Sequence, residues 1–157
     1  MDKIRMGIIL FLLLTSHGCR RQDEVGVKSV KDSAAQIFIK QIANMSVITS
    51  LSNQKKKTQS VLYGNEAALE NARRQSSPKE GGMLFLLSWN SKSDAEWFGG
   101  IVPADVISLE VVQGTVGDEY QHSRFLGKDL QADRNTSIAL REERKSFIIT
   151  QKAAVMP

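Results

Sequence analysis

The side chains able to do chemistry are few. The 157-residue chain has one cysteine, Cys19, and two histidines, His17 and His122. His122 lies in an alternating segment, Glu119 to Leu126, where a half-exposed strand histidine is the ordinary case and a catalytic base the exception. No serine stands in a Gly-x-Ser-x-Gly turn that would present it as a nucleophile. A metal would have to be held almost entirely by carboxylates, and Asp129 to Asp133 lacks the run of oxygen ligands a calcium loop needs. Asp94, Glu96, Glu110 and Glu119 could form a glycosidase-like pair only if the fold brought two of them together, and their spacing does not favour it. The expectation is a protein without catalytic residues, metal or cofactor.

Binding chemistry is better represented. The segment Trp89 to Pro103 holds both tryptophans, with Trp97 and Phe98 followed by Gly99-Gly100 and Pro103. Glycines permit unusual backbone angles and proline then fixes one. Large aromatics on a loop bury much area at little entropic cost when a partner arrives, so Trp97 and Phe98 are the interaction candidates. The rival reading is that they cap the edge of the core.

The first nineteen residues bear on where such contacts would be made. Lys3 and Arg5 precede the apolar run Ile8 to Leu14, and small residues precede Cys19. This is the layout of a secretory signal peptide. The run is far short of the roughly 20 apolar residues a spanning helix needs. The tetrapeptide Ser16-His17-Gly18-Cys19 resembles the lipobox of bacterial lipoproteins, matching at Gly18 and Cys19 and departing from the usual Leu at Ser16. That resemblance implies a diacylglycerol, and further acyl chains such as palmitate, on Cys19, with cleavage before it. A polar tether to residue 27 would follow. Arg20 after the cysteine implies, by the same resemblance, sorting to the outer membrane, facing the periplasm. Cleavage by an ordinary signal peptidase would instead release a soluble chain with a free thiol. With one cysteine no intramolecular disulfide can form.

Charge is uneven along the chain. Residues 20–79 carry 11 Lys or Arg against 5 Asp or Glu, and residues 80–157 carry 8 against 11. The basic half adjoins the expected anchor and could rest on anionic headgroups, although a solvated face including Lys55-Lys56-Lys57 explains it as well. Nucleic acid is disfavoured, because no aromatics are interleaved with the lysines and an exported chain does not meet it.

The elements that must position these residues follow from periodicity. Val27 to Leu51 shows helical spacing, with Val30, Ala34, Ile37, Gln41, Met45 and Ile48 on one stripe and Ala35, Phe38, Ile42 and Met45 on its neighbour. A second helix is expected from the cap residue Asn65 through Arg74. Ser76 to Gly82 is a break. Strands are expected at Met83–Trp89, Asp105–Gln113 and Glu119–Leu126, and a hairpin from Ser137–Leu140 and Ser146–Thr150 around Arg141–Lys145. The predicted fold is α+β: two N-terminal helices on a mainly antiparallel sheet of about four to five strands, in a single domain spanning residues 28–157 after a signal peptide over 1–18. Ile37, Phe38, Ile42 and Met45 are expected to pack on Leu84, Leu86, Ile107, Leu109 and Val111.

The function this supports is that of a non-enzymatic, membrane-anchored envelope lipoprotein, held by lipid on Cys19 and acting on an envelope protein partner as an accessory or assembly factor. The alternative is a binding module for a small envelope ligand, a peptidoglycan fragment or a lipid. An envelope hydrolase is the weakest of the three.

Overall fold

A computed structural model describes residues 34–74, 80–115 and 119–154. The leader, Cys19 and the tether to residue 27 lie outside the described residues, as does most of the Ser76–Gly82 break. The element order is α1 (Ala34–Ile42), β1 (Ser46–Asn53), β2 (Thr58–Gly64), α2 (Glu66–Arg74), β3 (Met83–Ser93), β4 (Ile101–Gly114), β5 (Tyr120–Leu126), β6 (Gln131–Ala132) and α3 (Ile138–Ile149). The six strands form one antiparallel meander in the order of the chain.

This corrects the expected architecture. One helix, not two, precedes the sheet among the described residues, and six strands replace four to five. Within the stretch expected to be helical, Val27–Leu51, α1 ends at Ile42 and β1 begins at Ser46, because Val47, Ile48 and Thr49 are β-branched and fit a pleated strand better than a helix. Ser52–Ser60, which lies between the two expected helices, contains the end of β1, the tight turn Gln54–Lys57 and the start of β2. The expected C-terminal hairpin is the single helix α3. Its polar centre, Arg141-Glu-Glu-Arg-Lys145, consists of good helix formers. The Ser137 hydroxyl caps it by accepting from the Leu140 N–H. The second expected helix is present as α2, with Asn65 Oδ1 accepting from the Ala68 N–H at 3.0 Å.

The sheet is covered on both faces. Ala68 of α2 and Ile148 of α3 pack with Ile48, Leu62, Leu84, Leu86 and Val112 on one. Phe38, Ile42 and Met45, from α1 and the turn after it, pack on the other with Phe85, Leu109, Val111, Phe125 and Leu130. This explains the unbroken apolar run at the start of β3: Leu84 and Leu86 serve one core while Met83, Phe85 and Leu87 serve the other. It also corrects the expected packing of α1. Leu84 and Leu86 face away from it, Ile107 belongs to neither core, and Ile37 is exposed. At the end of β2 the chain passes so close to β1 that a Cβ on Gly64 would lie 2.5 Å from Ile48 Cδ1.

Candidate functional site

β3 and β4 outrun their neighbours. β2 ceases to pair with β3 at Asn90, and β5 reaches β4 only as far as Ser108. Residues 91–93 and 101–103 are therefore paired only with each other and carry a two-stranded arm beyond the sheet. A hydrogen bond from the Ser91 N–H to the Lys57 carbonyl, 2.8 Å, ties its base to the β1–β2 turn.

The tip of the arm holds itself. Asp94 Oδ1 accepts from the N–H groups of Glu96, at 2.8 Å, and Trp97, at 3.3 Å. The Asp94 N–H donates to Gly100 O, and the Gly100 N–H to Trp97 O. Gly99 has φ +79°, which an L side chain rarely adopts. The result is a fixed turn from which Trp97, 78% exposed, and the fully exposed Phe98 project, with Ile101 half-exposed beside them. Neither aromatic caps the core.

A second feature lies under α3. Along the face that α3 covers, the apolar row of Leu62 and Leu86 gives way to Ser60, Ser88 and Ser108 on adjacent strands in direct register. Ser60 and Ser88 share a hydrogen bond of 2.7 Å between hydroxyls. These serines floor an open cleft of about 560 Å³, walled by Lys56 of the β1–β2 turn, Arg124 of β5 and Arg144 and Phe147 of α3. Arg124 Nη1 lies 3.6 Å from Asp133, and its buried Nε has no hydrogen-bond partner.

At the inner end of the cleft Glu110, its side chain 2% exposed, holds the helix to the sheet. Arg144 Nε donates to Oε2 at 3.1 Å and Nη2 to Oε1 at 2.6 Å, a two-pronged pair. His122 Nε2 meets Oε2 at 3.1 Å. Burial would raise the Glu110 pKa, but the hydrogen bonds from His122 and Arg144 and the charges of Arg144 and Arg124 outweigh it, and the carboxyl is lowered from 4.5 to about 2. A carboxylate only accepts, so His122 donates through Nε2, and its buried Nδ1 has no hydrogen-bond partner. The Arg144 guanidinium also stacks on Phe147, 5.0 Å from the ring centre.

His122 is thus not the half-exposed strand histidine expected from the alternation; α3 covers it, and its side chain is 3% exposed. Glu110, Arg124 and Arg144 escaped sequence reasoning as a group. Ser108 and Glu110 alternate with Ile107, Leu109 and Val111, which reads as a solvent face unless a helix is known to lie over it. Among the described residues no three His, Cys, Asp or Glu side chains gather to hold a metal ion, and no helix is long and apolar enough to cross a membrane. Comparison with known proteins finds no family model that matches the chain and no curated protein that matches it.

Proposed function

We propose that this is an envelope lipoprotein, anchored through lipid on Cys19, that works by protein contacts made at the tip of the β3–β4 arm. The observation that carries the reading is the exposure of Trp97 and Phe98 on a turn braced by its own hydrogen bonds. Such a patch costs solubility unless something covers it. A rigid aromatic anchor loses little entropy on docking, which favours a binding role. Asp94 and Glu96 flank the aromatics on the arm. Anionic headgroups would repel these carboxylates, so a protein groove with donor groups at its rim suits the tip better than a lipid surface.

The experiment is capture from cells of full-length, tagged protein carrying Trp97→Ala and Phe98→Ala together, beside wild type. A hot-spot aromatic contributes about 2 kcal/mol or more, a roughly thirtyfold loss of affinity. The double variant should stay folded and anchored and lose the partner that wild type retains. Identical capture by both proteins, or unfolding of the double variant, refutes the assignment.

A further inference from the structure

We infer that the cleft under α3 is a binding site for a small ligand carrying a carboxylate or phosphate on a hydroxylated, sugar-sized body. This site is separate from the arm and independent of the reading given to it. A volume of about 560 Å³ falls within the range of small-molecule sites. The lining is mixed: Leu51, Leu86, Ile107, Leu140 and Phe147 stand beside the serines and cations, which suits a body with both apolar and hydroxylated faces, as a sugar ring has.

The floor is chosen against packing. Ser60 and Ser88 stand where the neighbouring row of the same face carries Leu62 and Leu86, and Ser108, buried like Ser88, adjoins Glu110 of that row. Burying hydroxyls beneath a helix stabilises less than apolar side chains would, and the row of three in register places donors and acceptors across β2, β3 and β4. Such a row can read successive hydroxyls of a ring or polyol.

The walls select charge. Lys56, Arg124 and Arg144 face the cleft against the single carboxylate of Glu110. Arg144 is committed to Glu110 through two hydrogen bonds, but Arg124 is not saturated: it neighbours Glu110 across the strands without a hydrogen bond to it, its Nη1 lies 3.6 Å from Asp133, and its Nε is unpartnered. Lys56 forms no ion pair among the described residues; only its backbone N–H is engaged, by Asn53 Oδ1. Arg124 and Lys56 are therefore the groups with donors to spare for an oxyanion. Glu110 keeps Arg144 turned inward, so the helix wall stays in place when the cleft is empty.

The test uses the full-length protein in detergent micelles and three probes: N-acetylmuramic acid, glucose 6-phosphate and uncharged N-acetylglucosamine. Amide shift changes and calorimetry should show saturable binding of one or both anions, mapped to Ser88, Ser108 and Arg124. N-acetylglucosamine should bind at least tenfold more weakly. Arg124→Gln and Lys56→Met should each weaken the anion about tenfold while leaving the fold intact, and Lys56 lies on an exposed turn where the change cannot disturb packing. Which anion binds tells carboxylate from phosphate. Failure of both anions to bind, equal binding of the neutral sugar, or unchanged affinity in Lys56→Met and Arg124→Gln overturns the proposal. Failure here leaves the arm untouched, since its variants and readout are different.

Discussion

Replacing Arg144 by Met should cost much stability at neutral pH and little in acid. In the native protein the Glu110 carboxyl is lowered from 4.5 to about 2. At about 1.4 kcal/mol per pH unit, that difference is worth about 3 kcal/mol. Because the folded pKa is depressed, this stabilisation is complete above pH 4.5 and is lost as pH falls through about 2. Arg144→Met removes two of the carboxylate's three hydrogen bonds and its nearest cation, leaving burial to dominate. Breaking a buried pair costs about 3–5 kcal/mol, and the lower end applies because the Arg144 side chain is 30% exposed and water can follow it in. Once burial dominates, the Glu110 pKa in the variant rises, so acid neutralises the stranded carboxylate and relieves the penalty. Urea unfolding followed by circular dichroism should give a gap between wild type and variant of about 3 kcal/mol at pH 7, shrinking to about 1 kcal/mol near pH 3. That remainder is the part of the Glu110 stabilisation not yet lost at pH 3, which lies above the folded pKa of about 2, together with the stacking of Arg144 on Phe147. A gap below about 1 kcal/mol at pH 7, or one that holds constant on acidification, would refute the account of Glu110.

Phe38→Ala should cost about 2–3 kcal/mol, because the ring is half-buried against Phe125, centroids 4.6 Å apart, and Phe85, 6.1 Å away. A loss under about 1 kcal/mol in thermal unfolding would mean that α1 does not hold its face of the sheet. Cells fed a clickable fatty acid should label wild type and not Cys19→Ser, and equal labelling would rule out the anchor.

The strands with several apolar positions were legible. β4 and β5 follow Asp105–Gln113 and Glu119–Leu126, whose alternation is long enough to separate a period of two from one of 3.6, and β3 follows Met83–Trp89, an apolar run of strand length after the Ser76–Gly82 break. The capped helix at Asn65 was legible for a different reason: Asn65 Oδ1 makes its hydrogen bonds locally. What failed were short pieces. Val61-Leu62-Tyr63 offers too few residues to declare β2 on its own, and its place is fixed by pairing on both sides. In α3, Leu140, Arg144, Phe147 and Ile148 share one face at helical spacing, but a cation stands where an apolar residue would reveal the stripe. That same misreading hid the cleft. Arg144 reaches Glu110 across 34 residues of chain, and only the tertiary fold brings them together. Trp97 and Phe98 were readable as a loop because Gly99-Gly100 and Asp94 make the turn from local bonds alone.

The meander carries an order in time. Each of its strands pairs with the one made just before it, so a chain delivered from its N-terminal end can extend the sheet hairpin by hairpin without waiting for distant partners. One strand is left out of that economy. The outer edge of β1 receives the Ala154 N–H, which donates to Ile48 O at 2.8 Å, and the core beneath it is closed by Ile148 of α3. The earliest strand is thus capped by the segment synthesised last among these elements. A chain halted after β6 would own a nearly complete sheet with the β1 edge bare and one apolar face covered by α2 alone. Such a species is what chaperones hold and proteases remove. Arrival of α3 and of the segment that follows it to Ala154 closes both places together, so the last part of the chain to be made completes the earliest strand.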